Sequence, residues 1–352
     1  MRLVAGTTRF GIRERWLTGA LLLSSLALSV LVAEMLVRLA GAAPGIVIIQ
    51  QGRFRLSPNP LIGYEPAPAT DHREGTLDFY DYWGASNRLG YRDDDHEVAK
   101  PPGTDRIVVL GDSIGAGVLV ERGREIFPYL LQDRLRADGI PAEVINLSVS
   151  GYNTQQEIET LKAVGLDFSP DLVLLAYCLN DRRFDGGGIM EALLDLEAAP
   201  RGIPRARVIH PLLVRSALWR FLRYVALPRG GARGVSHRDF HLDAIGEDTS
   251  EAYLHELGRL AREHGFEAVV AVFPILDRFD DYPYPYEHER MERLAGEAGL
   301  HHLDLLEPLQ ECAASLDGPI GRDFIHPGPE GHHCAAEAMA DHIEVKVLGL
   351  LP

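Results

Sequence analysis

The stretch RIVVLGDSIGAG, Arg106–Gly117, begins with five residues suited to a buried strand and passes straight into Gly111, Asp112 and Ser113. An apolar run without strict alternation is how a strand reads when both its faces are covered, as in a parallel sheet. Further runs of this kind occur at 143–147 (EVINL), 171–177 (DLVLLAY), 267–273 (EAVVAVF) and 300–305 (LHHLDL). Helical patterns separate them. Ile126, Leu130, Leu131 and Leu135 share one face before a stop at Gly139. Leu254, Leu257 and Leu260 repeat the design before Gly265, and Pro329 opens a last helical segment. Strands alternating with amphipathic helices predict a three-layer α/β/α sandwich around a mainly five-stranded parallel sheet. Ligands of such sheets bind beyond the carboxyl ends of the strands, so the residues that follow each run are the candidates.

Ser113 follows the first run, and Gly151 follows the second in SVSGYNTQQE. Asn180 and Asp181 follow the third in CLND, and Asp323 and His326 precede the last helix in DFIHPG. A serine hydroxyl becomes a nucleophile when a base takes its proton, and an imidazole oriented by a carboxylate is suited to that task. Alone, Gly-Asp-Ser reads equally well as a turn. Asp112 and Asp181 are expected to hold their loops through backbone hydrogen bonds. Gly115 and Gly117 leave space for substrate or for close loop packing.

Taken in order, the blocks around Ser113, Gly151, Asn180 and Asp323–His326 resemble the SGNH/GDSL hydrolase superfamily, from about Arg106 to the C-terminus. The resemblance implies a flavodoxin-like fold, with Ser113 as nucleophile and oxyanion donor. Gly151 would supply a backbone N–H, Asn180 a side-chain amide, His326 the base and Asp323 its orienting carboxylate. Where the family's third block has a glycine two residues before the Asn, this chain has Cys178, and Ile114 stands in place of the familiar Leu. AEMLVRL and SNRLGYRDDD are similar to segments of membrane-anchored bacterial members. The implied activity is serine esterase chemistry on acyl or acetyl esters of a lipid or glycan, with no cofactor and no metal. The alternatives are an O-acyltransferase or deacetylase of envelope polysaccharide, and a catalytically silent glycan- or lipid-binding module.

A formal net charge of −16 argues against nucleic acid, whose phosphates would be repelled. The N-terminus departs from this acidity. Residues 1–15 carry four arginines and one acid, and the 18 residues from Trp16 to Ala33 carry no charge. These features predict a cytoplasmic tail at 1–15, a transmembrane signal-anchor at 16–40 and export of everything beyond. AGAAP at 40–44 leaves cleavage of a signal peptide as the alternative. Residues 41–104 read as an irregular linker with at most one hairpin, and 105–352 as the hydrolase domain with an insertion at 182–249.

Between Arg201 and Arg238 that insertion holds nine arginines and no acid. Residues 212–227 within it read as a basic helix, either plain packing or a flank beside Ser113 that meets anionic headgroups or acidic glycan. The three cysteines are Cys178, Cys312 and Cys334. Each reads by default as a small buried hydrophobe, with a Cys312–Cys334 bridge the alternative in an oxidising compartment. The remaining histidines show no metal-ligand spacing and read as surface or packing residues.

Overall fold

The computed structural model describes residues 12–40, 53–68, 86–182, 186, 189–190, 193, 216–222, 245–246, 248–276 and 278–347. The chain divides into two compact units, one of Met1–Val47 with Pro200–Gly234, the other of Ile48–Ala199 with Val235–Pro352.

In the first unit, α1 spans Ile12–Leu39. Its portion Trp16–Leu39 has a mean hydropathy of 2.3, with leucines such as Leu21, Leu22 and Leu26 exposed. Among the described residues this is the one helix long and apolar enough to cross a bilayer. Near its end, Glu34 pairs with Arg38 at 2.7 Å. The same carboxylate accepts from Ser216 Oγ at 2.7 Å and from the N–H groups of Ala217 and Leu218 at 2.8 and 2.7 Å. Those are the first-turn donors of a short helix, α4 (Ala217–Phe221). The basic helix expected over 212–227 is therefore described only in this one turn. Arg215, Arg223 and the side chain of Arg220 lie outside the described residues.

In the second unit, β1 (Phe54–Leu56) and β2 (Tyr64–Pro66) form an antiparallel hairpin. The main sheet follows as β3 (Asp105–Gly111), β4 (Ala142–Asn146), β5 (Leu172–Cys178), β6 (Glu267–Phe273) and β7 (His301–Asp304). All pairs are parallel, in the order β4-β3-β5-β6-β7. Between and after the strands run α2 (Phe127–Ala137), α3 (Thr154–Ala163), α5 (Ser250–His264), α6 (Pro285–Ala298), α7 (Leu306–Ser315) and α8 (Pro329–His342).

Successive strand side chains point to opposite faces, and this alternation splits the core in two. Val108, Leu110, Val173, Leu175, Val270 and Val272 pack with Leu161, Leu254, Leu257 and Met291 of α3, α5 and α6. Ile107, Val109, Leu172, Leu174 and Val269 pack with Phe127, Leu131, Leu309 and Met339 of α2, α7 and α8. The expected three layers around a five-stranded parallel sheet are thus observed.

The cysteine default holds for one residue and fails for two. Cys178 ends β5 fully buried in the second cluster. Cys312 and Cys334 form a disulfide that joins α7 to α8 across 22 residues of sequence. Both helices lie on the same sheet face, which brings the two Cα atoms to 6.4 Å, within bridging range.

Candidate active site

The carboxyl ends of β3, β4 and β5 lie side by side, and the loops that leave them carry most of the candidate residues. The turn after β3 puts Ser113 at the top of the sheet, with its carbonyl accepting from Val118 N–H at 2.9 Å. Gly115 is there for packing, not for substrate: a Cβ on it would lie 2.1 Å from Ser148 Oγ, and one on Gly117 would lie 2.2 Å from Ile126 Cγ2. Asp112 acts as expected, its Oδ1 accepting from Ile114 N–H at 2.8 Å. Asp181 likewise closes its loop by accepting from Cys178 N–H at 2.7 Å.

Ser113, His326 and Asp323 form one chain of hydrogen bonds. His326 Nδ1 lies 2.7 Å from Asp323 Oδ2, and His326 Nε2 lies 2.9 Å from Ser113 Oγ. With Nδ1–H donating to the carboxylate, Nε2 is left as an acceptor and the serine hydroxyl donates to it. Asp323 also accepts from the backbone N–H groups of Ile325 and His326 through Oδ1, at 2.9 and 2.8 Å. Burial pushes this carboxyl up, but the N–H groups and the imidazole outweigh it and hold it below the ordinary carboxylate value. It therefore stays ionised beside the histidine.

The Asn180 amide joins through Asp112. Asp112 Oδ2 accepts from Asn180 Nδ2 at 3.2 Å and lies 3.2 Å from Ser113 Oγ. Burial pushes the Asp112 carboxyl up, against the pull of Ile114 N–H, His326, Asn180 and Ser113. Cys178, two residues before Asn180, keeps ordinary extended strand geometry, so a side chain there is no obstacle. Gly151 makes no hydrogen bond to these side chains. Its loop is fixed beside Ser113 by Val149 N–H donating to Gly111 O at 2.9 Å. Gly151 itself has φ +81°, a conformation open chiefly to glycine. Neither the Ser113 nor the Gly151 N–H donates to an acceptor among the described residues.

Three contributors lie outside the motifs. The buried guanidinium of Arg92 donates to the carbonyls of Ala116, Gly117 and Val120 at 3.2, 2.6 and 2.8 Å, clamping the far side of the Ser113 turn. Asn146, fully buried, donates from Nδ2 to Gly115 O at 3.0 Å. His332, also fully buried, accepts Phe127 N–H at Nδ1 at 3.2 Å. The sequence signal for Arg92 is present in SNRLGYRDDD, but its partners are some 25 residues away in the chain. Another His–Asp pair, His288–Asp304 at 2.8 Å, ends on the Tyr282 hydroxyl instead of a serine. Among the described residues no cluster of three or more His, Cys, Asp or Glu is arranged to hold a metal ion.

Known proteins resemble this chain in several parts. An arylesterase of Vibrio mimicus is 36% identical over 78 residues, 22% of this chain, and the chain spans 38% of that protein's length. The crystal structure of TesA superposes with a TM-score of 0.43 at 16% identity, over 68% of this chain and 98% of that one. An acetyl xylan esterase, AlAXEase, gives 0.42 at 14% identity, over 68% and 99%. Residues 109–334, more than half of the chain and inclusive of Ser113, Gly151, Asn180, Asp323 and His326, match the GDSL-like Lipase/Acylhydrolase family model. With the four blocks in family order on the expected sheet edge, the chain belongs to the GDSL-like lipase/acylhydrolase family of serine ester hydrolases.

Proposed function

We propose that this chain is a membrane-anchored, extracytoplasmic esterase in which Ser113, His326 and Asp323 form the catalytic triad. The observation that carries the reading is the continuous path from Ser113 Oγ through both ring nitrogens of His326 to Asp323. In the first half-reaction Ser113 Oγ attacks the ester carbonyl carbon while His326 Nε2 takes the hydroxyl proton. The imidazolium is stabilised by Asp323, and the carbonyl oxygen becomes an oxyanion. The N–H groups of Ser113 and Gly151 and the Asn180 amide donate to that oxygen, each contributing about 3 kcal/mol. Collapse breaks the bond to the alcohol oxygen, which leaves with the proton from His326. Water then attacks the acyl-enzyme, His326 takes its proton, and the acid leaves as Ser113 recovers its own.

The anchor, the arginines of residues 1–15 and the disulfide support the location. Arginine-rich flanks stay cytoplasmic, and structural disulfides persist in oxidising compartments. On this reading 1–15 is the cytoplasmic tail, 16–40 the anchor, 41–104 the linking segment, and 105–352 the hydrolase domain with its insertion at 182–249. The substrate is an acyl or acetyl ester of a lipid or glycan.

The test uses full-length protein in non-ionic detergent with 4-nitrophenyl acetate and a fluorophosphonate probe. The parent is expected to hydrolyse the ester and take the label, and Ser113→Ala to do neither. A parent that takes no label, or a Ser113→Ala variant that still does, refutes the assignment. Added sugar acceptors that collect the acetyl group in place of water would make the enzyme a transferase.

A further inference from the structure

The hairpin of β1 and β2 lies outside residues 109–334, the span that matches the family, yet it reaches the proposed oxyanion site. Tyr64 Oη donates to Ser150 O at 2.6 Å, and the tyrosine is fully buried. Ser150 C=O and Gly151 N–H belong to the same peptide unit. A trans peptide is planar, so its carbonyl and its N–H point in opposite directions. A hydroxyl that pins the carbonyl therefore also aims the N–H, away from the hairpin.

The surroundings leave the phenol little freedom. Its ring meets Tyr152 edge-on at 5.2 Å and Phe54 at 5.5 Å. Tyr152 Oη returns a bond to Tyr64 O at 2.6 Å, so the Gly151 loop and the hairpin are tied by a reciprocal pair of tyrosine hydrogen bonds. Gln156 Nε2 donates to Ile62 O at 2.7 Å, which fastens the hairpin to the first turn of α3. A Cβ on Gly151 would lie 2.9 Å from Tyr64 Oη, so the hydroxyl occupies the space that glycine leaves open. Donation to the carbonyl also polarises the amide and makes its N–H a better donor.

We propose that Tyr64 is a positioning residue that holds the Gly151 N–H toward the developing oxyanion, making the N-terminal hairpin a working part of the active site. The proposal rests on the reading of Gly151 as an oxyanion donor. It is independent of which alcohol the ester carries.

The experiment compares full-length parent and Tyr64→Phe, which keeps the ring packing and removes only the hydroxyl. On 4-nitrophenyl acetate, kcat is expected to fall about fivefold to tenfold with KM within about twofold, the signature of an interaction made in the transition state. Phenylboronic acid, whose serine adduct places an oxygen in the oxyanion position, should lose affinity by the same factor. A lower melting temperature with kcat and boronate affinity unchanged would overturn the proposal and leave Tyr64 a packing residue. A backbone ester at 151, glycolic acid in place of Gly151, separates the two readings. If removing that N–H leaves kcat unchanged, the oxyanion role of Gly151 fails and the proposal with it. If it lowers kcat while Tyr64→Phe does not, only the role of Tyr64 fails.

Discussion

His332 makes the stability of the second unit depend on pH in a way that one substitution isolates. The ring is fully buried on α8, accepts Phe127 N–H at Nδ1 and stacks on the Phe127 ring with centroids 6.0 Å apart. That N–H belongs to the first turn of α2, where no backbone acceptor exists, so the histidine serves as a cap from another helix. Burial, with the nearby positive charge of Arg92 and the facing His326, lowers its pKa from 6.5 to about 3. In the unfolded chain it titrates near the ordinary value. Between those limits the unfolded state binds a proton that the folded state refuses, so stability falls as pH drops below about 6.5. Each pH unit costs about 1.4 kcal/mol, which makes the loss at pH 4.5 about 2.7 kcal/mol. Below pH 3 the folded state takes the proton as well and the slope ends.

His332→Asn keeps an acceptor near the Nδ1 position and removes the titrating group. Urea unfolding of the full-length protein in detergent, followed by far-UV circular dichroism at pH 7.5 and pH 4.5, measures the effect. The variant is expected to be the less stable of the two at pH 7.5, because part of the stacked ring is lost. That deficit should shrink by about 2.7 kcal/mol at pH 4.5, enough to reverse the order if the packing cost is about 2 kcal/mol. Parallel stability curves for parent and variant would refute the reasoning.

Asn180→Ala is expected to lower kcat on 4-nitrophenyl acetate about 100-fold with a smaller change in KM, since in the proposed mechanism the amide acts mainly on the oxyanion. Steady-state kinetics check this. Arg92→Met removes the donors to three carbonyls while keeping the apolar stem; a loss of about 3 kcal/mol by urea unfolding is expected, together with reduced kcat as the Ser113 turn loosens. Replacing Cys312 and Cys334 together by serine should cost about 3 kcal/mol, and adding reductant to the parent should reproduce that loss.

The sheet was legible because its strands are apolar on both faces and its outer helices are amphipathic. EAVVAVF was placed at 267–273, where β6 lies. α3 was not legible, for a physical reason. Thr154–Leu161 are buried on every side, so no apolar stripe alternates with a polar one, and the segment reads like a polar loop. The Ser113, Asn180, Asp323 and His326 positions came from short motifs at strand ends, where local sequence and sheet topology coincide. The contribution of 41–104 was invisible because its contacts are long-range. Tyr64 and Ser150 are 86 residues apart, and no periodicity links them. The disulfide stood only as the alternative for a similar reason: it is the packing of α7 on α8 that brings two cysteines 22 residues apart together.

The carboxylate near the end of α1 gives this apolar helix a task beyond hydrophobicity. Glu34 supplies the acceptor for Ser216 and for the first amides of α4, more than 180 residues downstream. An unrelated apolar helix of equal length would match its hydropathy, yet it would leave those donors without that acceptor. The apolar run and the acceptor for α4 are thus written into the same stretch of chain. A chimera with a borrowed apolar helix would keep the hydropathy and lose the fitting.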